Sequence, residues 1–362
     1  MDVAVLGASG DCGREIVSQL VASRLLAPTE RMQLVGRAEG RSARMLHGLV
    51  SDLTDAHAEY VPEFDVALSP REITADLWVV ASGVTMPTSG DAAVDRNSLA
   101  LGNARIFAEY ARALAEHGQG TEVVVVVSNP VELGVALFAR AIGRHRVIGI
   151  GAYQDTLRFR REIASDLGMR RQRVCGFMLG EHGEGQVPLW SGVTVHGMSP
   201  DEQAEAVRAI RRGTEGDDFL DLSRRLRGHM NALIADGCIA EAFAYVDTLP
   251  PDVRVVLKPY ITHLSGAKTV LATANVTASL VETLLRGDEA MIAAQVHLTD
   301  GEFYGLSGPL GVPVIVSPGG VLRVVELPLS AAEQRDLTRI SSSVNDKLDR
   351  WMRSLEEEGI AT

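Results

Sequence analysis

The 362-residue chain is 46% hydrophobic and 23% charged, proportions of an ordinary folded protein with a sizeable core, and its length suggests about two domains. Its 35 Lys and Arg stand against 47 Asp and Glu, a net charge of −12 that disfavours nucleic acid or an anionic membrane surface as partner. No apolar run approaches the ~18 residues that span a bilayer, and the odd, widely spaced trio Cys12, Cys175 and Cys238 implies neither a disulfide framework nor a metal site. A first strand expected from about Asp2 leaves no room for a leader, so the expectation is a soluble, cytoplasmic protein.

In chain order, β-branched runs predict strands at Val3–Leu6, Met32–Val35, Asp65–Leu68, Leu77–Ala81, Glu122–Val127 and Val147–Ile150. Helical patterns predict helices at Asp11–Leu26, Asn97–His117 and Val131–Ile142 between them. The five consecutive valines Val123 to Val127 suit a central strand covered on both faces. Alternation of this kind predicts a doubly wound, Rossmann-type parallel sheet over residues 1–150, with its ligand at the carboxyl ends of the strands. After residue 150 the rhythm changes. A helix near Asp155–Leu167 precedes strands Val174–Leu179 and Val187–Val195, followed by a charged helical stretch from Ser199 to about Ile234. Its arginines, Arg208, Arg211, Arg212, Arg224, Arg225 and Arg227, are interleaved with acids and read as a solvated face. Pro250-Pro251 breaks the chain, and Thr269–Leu285 reads as a buried helix. Strands Ala290–Leu298, Val312–Val316 and Leu322–Leu327 follow, then a final helix opened by Ser330 and Glu333 at capping-box spacing. Residues 151–362 are therefore expected to form an α+β domain.

Gly7-Ala8-Ser9-Gly10-Asp11-Cys12-Gly13 lies between the first strand and first helix. Glycines there permit a tight turn and close approach of backbone N–H groups to a diphosphate, which predicts a dinucleotide site. An acid after the second strand would select NAD by accepting the adenosine ribose hydroxyls. This chain has Gly36-Arg37 instead, with Arg41, Ser42 and Arg44 close behind. Glycine makes room, Arg37 suits a 2′-phosphate and Ser9 adds a hydroxyl, so NADP is favoured over NAD. If Arg37 merely stacks on the adenine, either cofactor is tolerated.

Asp155 and Arg158, in Asp-x-x-Arg spacing, share a helix face. Gly180-Glu181-His182-Gly183 follows a buried strand, Ser128-Asn129-Pro130 ends the valine strand, and Arg96 opens a helix. With the blocks GASGDCG, LVGR, SGV, DRNSLALGN, SNPVE, DTLRFR, GEHGEGQVPLWS, GEFYG and GVPV in order from Val3 to about Trp351, the chain resembles the lactate/malate dehydrogenase family. The likeness is greatest to the branch with Gly-Arg after its second strand. The resemblance implies hydride transfer between NADP(H) or NAD(H) and a 2-oxo or 2-hydroxy acid. It implies His182 as proton donor, Asp155 as the carboxylate that orients it, Arg158 as a clamp on the substrate carboxylate and Arg96 as the cation polarising the carbonyl. Gly7, Ser9, Gly10, Asp11, Cys12, Gly13, Gly36, Arg37, Ser82, Gly83 and Asn129 are the implied cofactor contacts. Asn129, Met86 and Thr269 are added on the substrate side, although Thr269 could equally be a plain helix cap. A homodimer or homotetramer and no metal are also implied.

The pattern departs at Val84–Asp95, the expected lid. Malate enzymes of this type carry an arginine there for the second carboxylate, whereas this chain has Thr85-Met86-Pro87 and no arginine before Arg96. A dicarboxylate such as oxaloacetate should then bind poorly, because its second charge would be buried unpaired. Asp91 or Asp95 could select a cationic or hydroxylated tail. The Ser199–Ser265 stretch is also longer than in the family and could enlarge the pocket or a subunit contact. Two other readings stay open, a cofactor-dependent glycosidase built on a similar nucleotide domain and a dinucleotide-binding protein without catalysis.

Overall fold

A computed structural model describes residues 1–84, 96–299 and 301–360, the side chains of residues 96–98 excepted. The first half alternates as its sequence pattern requires. It runs β1 (Val3–Leu6), α1 (Asp11–Ala22), β2 (Arg31–Val35), α2 (Ser42–Ala56), β3 (Glu63–Ala67), β4 (Leu77–Val80), α3 (Arg96–His117), β5 (Val123–Val126), α4 (Val131–Ile142) and β6 (Val147–Gly149). The second half contains α5 (Gly151–Asp166), β7 (Val174–Gly180), β8 (Gln186–Val195), α6 (Pro200–Arg211), α7 (Phe219–Ala235), α8 (Ile239–Asp247), α9 (Pro251–Leu264) and α10 (Val270–Arg286). It closes with β9 (Ala290–Leu298), β10 (Gly308–Ser317), β11 (Gly320–Val324) and α11 (Ala331–Glu357).

Among the described residues the strands form one sheet, ordered β3-β2-β1-β4-β5-β6-β9-β10-β7-β8 with β11 on β10. The first six are parallel and fully buried at β1, β4 and β5, which is why the valines of β5 need no alternation. Strand order reverses between β1 and β4, opening the crevice in which doubly wound sheets bind ligands. The remaining strands pair antiparallel, and β9 joins them to β6 at Gly149↔Gln295. Gln295 secures that seam by accepting the Ala152 backbone N–H at 2.9 Å.

Several elements differ from expectation for local reasons. Helix α1 stops at Ala22, short of Leu26, because Arg24 turns left-handed at φ 52. Helix α2 lies outside the expected elements, and Leu46 and Leu53 are its buried residues. The Ser199–Ile234 stretch is two helices, parted around Gly213 and Gly216, with Ser199 forming a complete capping box on α6. Pro250-Pro251 starts α9 rather than merely breaking the chain, since proline at the first helical position gives up an N–H that has no intrahelical partner. Strand β11 begins at Gly320, because the Ser317↔Gly320 pairing leaves only Pro318-Gly319 for the turn.

Helix α5 is held from below by buried charge. Arg254 of α9, 2% exposed, donates to Glu162 Oε2 at 2.6 Å and Asp166 Oδ1 at 2.7 Å, and it also reaches the Leu249 carbonyl at 2.6 Å. Burial pushes the Glu162 carboxyl up, but Arg161, Arg254 and Lys258 outweigh it and hold it below its ordinary value. Beside this network Phe159 meets Trp190 edge-on at 4.9 Å, and Trp190 Nε1 donates to Asp252 at 2.8 Å. Removing one partner of a buried ion pair typically costs about 3–5 kcal/mol. Arg254→Met is expected to destabilise the fold by about 3 kcal/mol, read as a lowered urea midpoint. An unchanged midpoint would show that Lys258 and Arg161 suffice for Glu162.

Candidate active site

The loops after the parallel strands share one edge of the sheet. Gly7 follows β1 at φ +80, and a Cβ there would stand 2.7 Å from the Ser82 Cα beyond β4. A Cβ on Gly13, in the first turn of α1, would lie 2.9 Å from the Ala8 Cα. Both positions therefore require glycine, and the turn is drawn tight against the ends of β2 and β4, with the Gly7 and Ala8 N–H groups donating to the Val35 carbonyl. Gly10 caps α1 without a side-chain hydrogen bond, so the N–H groups of its first turn have no capping acceptor. Ser82 Oγ is buried with no partner among the described residues. A cradle of N–H groups and a buried hydroxyl without a partner suit the diphosphate of a dinucleotide.

Two features modify that cradle. Asp11 puts a carboxylate at the start of α1, and Lys268 reaches across from the loop before α10 to pair with it at 2.8 Å. That contact holds the Asp11 carboxyl below its ordinary value, with Arg14 contributing less. Cys12 is a half-buried thiol pushed up to about 11 by its partial burial, with the Asp11 and Glu15 charges contributing less. Beyond β2, Ser42 and Leu46 occupy the space that a Gly36 side chain would need, so this glycine lets the start of α2 close on the end of β2. The Ser42 hydroxyl lies 2.9 Å from Ser9 Oγ and accepts the Arg37 backbone N–H at 3.3 Å, and Arg37 is exposed.

Past β4 and β5, the buried Asn103 of α3 ties the two loops together. It accepts the Val84 N–H at 2.6 Å and donates to the Val84 carbonyl at 3.1 Å and the Asn129 carbonyl at 2.7 Å. Gly83 leaves space for it, since a Cβ there would come within 3.0 Å of its Oδ1. The Asn129-Pro130 peptide is cis, and Asn129 is exposed at the edge.

Past β6, α5 starts at Gly151, one turn earlier than expected, and that turn backs the His182 ring. A Cβ on Gly151 would stand 2.6 Å from His182 Cγ. His182 Nδ1 lies 2.8 Å from Asp155 Oδ2, and Arg158 Nη1 donates to Asp155 Oδ1 at 2.9 Å. Because an ionised carboxylate only accepts, the proton sits on Nδ1 and Nε2 is the ring atom left to exchange one. Asp155 is 1% exposed, and its charge is matched by guanidinium on one oxygen and imidazole on the other.

Glu132, not singled out from the sequence, completes the cluster from α4. Its Oε1 accepts the His182 backbone N–H at 2.8 Å. Burial and the neighbouring Glu181 charge push its carboxyl up to about 7. Glu181 is paired in turn with Lys347 of α11 at 2.6 Å, so the His182 loop is anchored on both sides. The only sequence signal for Glu132 was its place directly after Ser-Asn-Pro-Val. Burial alone would lower His182, but Asp155, helped by Glu132 and opposed by Arg158, holds the imidazole above its ordinary value.

Thr269 is the N-cap of α10 without a side-chain cap bond, and it lies half-buried next to Lys268. Arg96 opens α3, and its side chain lies outside the described residues, as do Met86 and the whole of 85–95. No helix among the described residues is long and apolar enough to cross a membrane.

Residues 1–149 match the family model for the NAD binding domain of lactate/malate dehydrogenases. A malate dehydrogenase of Methanothermobacter thermautotrophicus is 27% identical over 99% of both chains. An L-lactate dehydrogenase of Treponema denticola is 29% identical over 83% of this chain and 82% of its own. Residues 1–149 thus match this family's nucleotide domain, and the similarity to its malate and lactate dehydrogenases runs through most or all of the chain. The fold agrees. The Cryptosporidium parvum lactate dehydrogenase solved with lactic acid and nicotinamide adenine dinucleotide superposes at TM-score 0.72, with 23% identity over 97% of each chain. Plasmodium falciparum malate dehydrogenase gives the same score at 19% identity, covering 98% of this chain and 99% of that one. The chain is accordingly a nicotinamide-dinucleotide-dependent oxidoreductase.

A group whose folded pKa is raised stabilises fully below its unfolded value, near 6.5 for His182, and loses that contribution as pH rises through the folded value. His182 is therefore expected to titrate above 6.5 when followed by NMR. Glu132→Gln keeps an acceptor for its N–H and should lower the midpoint modestly, whereas Asp155→Asn should bring it below 6.5 because burial then dominates. A midpoint unmoved by Asp155→Asn would dissociate the two groups.

Proposed function

We propose that the protein is an NADP-linked 2-hydroxy-acid dehydrogenase whose substrate carries one carboxylate beside its carbonyl and no second one at the malate position. The single observation behind the chemistry is the shared carboxylate, Asp155, holding His182 and Arg158 side by side at the carboxyl edge. Reduction of a 2-oxo acid builds negative charge on the carbonyl oxygen. His182 Nε2 delivers the proton that quenches it, and Asp155 fixes the ring and stabilises its charged form. Arg158, 15% exposed and bonded to Asp155 through one arm, offers its remaining N–H groups as a fork to the substrate carboxylate. Arg96 adds a cation at the carbonyl, and Asn129 orients the reacting end. The nicotinamide supplies the hydride when bound. His182→Asn should lower turnover by about 10²–10⁴-fold while leaving cofactor affinity near that of the parent.

The cofactor preference rests on the residues after β2. The residues directly after β2 are Gly36 and Arg37 and not an acid, the first acid being Glu39, and the Ser9 and Ser42 hydroxyls and the Arg37 backbone N–H meet at the start of α2. Gly7, Gly10, Gly13, Ser82 and Gly83 form the diphosphate and nicotinamide side of the same groove. A charge-assisted hydrogen bond contributes about 1.5–3 kcal/mol, so Arg37→Ala should weaken NADPH binding about 10- to 100-fold and barely change NADH. Equal losses for both cofactors would return the preference to NAD. We further propose that residues 1–150 and 151–362 act as cofactor and substrate domains of a homo-oligomer.

The substrate reading rests on the absence of any arginine or lysine between Val84 and Arg96. A panel of 2-oxo acids with apolar, hydroxylated, cationic and carboxylated tails, assayed with NADPH and NADH in parallel, tests it. Apolar or hydroxylated tails should outperform oxaloacetate. Oxaloacetate leading the panel would overturn the assignment of Met86 and its neighbours.

A further inference from the structure

The 3₁₀ turn Arg144–Arg146 ahead of β6 concentrates basic side chains in a chain of net charge −12. With β9, β11 and Glu302 it encloses a cleft of about 210 Å³, lined among others by Arg144, His145, His297, Glu302 and Arg323. The cleft belongs to neither the glycine turn nor the His182 loop. Its shape is fixed from two sides. Glu302 grips Arg144 with both oxygens at 2.6 Å, and Gly320, at φ +107, lets the β10–β11 hairpin lie directly on His145 and Arg146.

Glu302 lines the cleft together with the guanidinium groups of Arg144 and Arg323 and the imidazoles of His145 and His297, and the charges of Arg140 from α4 and of Arg144 act on His297. Arg144 is neutralised by Glu302. Arg323 and His145 have no hydrogen-bond or ion-pair partner among the described residues. His297 is half-buried on β9, and burial together with Arg140 and Arg144 pulls its imidazole below the ordinary value. Among the described lining residues Glu302 is the one carboxylate, and Arg144 takes up both its oxygens, so the donors left to the cleft are the Arg323 guanidinium and imidazole N–H groups.

We propose that this cleft is a second ligand site, which takes a small phosphate-type oxyanion between Arg323, His145 and His297. Guanidinium forks match phosphate oxygens. The volume suits a phosphate, free or carried on a body of a few carbons, and falls below the roughly 300–1,000 Å³ of larger ligand pockets. An anion here reverses the field on His297, so binding and protonation of that imidazole are coupled. Among the described residues Arg140 on α4 and Arg144 on the 3₁₀ turn act on His297, and His145, Glu302 and Arg323 line the cleft with it.

His297 serves as the reporter, and the measurement uses no turnover, so it stands or falls apart from the proposed reaction. Its NMR titration is followed in inorganic phosphate, in glycerol phosphate and in chloride at matched ionic strength. Phosphate should raise the midpoint by about one pH unit. A larger rise with glycerol phosphate would assign the site to a phosphomonoester, and an equal one to free phosphate. Arg323→Gln, an exposed edge-strand change that leaves the Arg144–Glu302 pair intact, should abolish the rise. No rise in either phosphate, the same rise in chloride, or a rise that survives Arg323→Gln would overturn the site.

Discussion

The site depends on one buried carboxylate with two cationic neighbours. An isolated charge at the position of Asp155, 1% exposed, would be several kcal/mol too costly to keep ionised. Arg158 removes most of that penalty permanently, because a guanidinium does not titrate in the accessible range. His182 can therefore gain and lose its proton without leaving Asp155 unpaired. A site with imidazole alone would couple every protonation event to the solvation of a bare buried acid. Placing Arg158 one helical turn from Asp155 makes the arrangement a property of α5 itself, to which the His182 loop needs only to be brought.

Bringing it there is the work of the surrounding frame. Gly151 lets the His182 ring lie directly on the backbone of α5, and Glu132 holds the loop by its N–H. The Glu181–Lys347 pair ties the same loop to α11, and Arg254 fixes the far end of α5 through Glu162 and Asp166. The start of α5 is also bonded to β9 through Ala152 and Gln295, at the seam where parallel and antiparallel halves of the sheet meet. These contacts link sequence positions as far apart as 152 and 295, so the geometry around Nε2 is set by tertiary structure and not by the local motif.

That distinction explains what could be read in the sequence. Strands β1, β4 and β5 were legible because burial on both faces demands unbroken apolar runs. Asp155, Arg158 and His182 were legible because their residue types and local motifs are tied to the chemistry. Glu132 and Asn103 were not singled out, since each acts by bonding the backbone of a residue 50 or 19–26 positions away, which leaves no trace in local spacing. Gly36 was legible as a necessary glycine, but only the packed structure shows Ser42 drawn against it. Helix α9 was hidden by its prolines, Pro251 at its start and Pro259 inside it, which propensity counts against a helix that tertiary packing nevertheless keeps.

The charge distribution along the carboxyl edge completes the argument. A chain of net charge −12 that binds a polyanionic cofactor must place positive potential locally against its own average. The N-terminus of α1 provides part of it, yet Asp11 lies in that first turn and partly cancels the helix field. Lys268 restores the balance from a backbone conformation, φ 56, that lysine rarely adopts, which ties the loop before α10 to the glycine turn. At the other end, Arg37, Arg41 and Arg44 gather around the start of α2 with little acid among them. The cationic character thus strengthens from the diphosphate cradle toward the adenosine side. The extra 2′-phosphate of NADP places its charge at that stronger end, which gives the proposed preference a basis in the field of the whole groove as well as in one arginine.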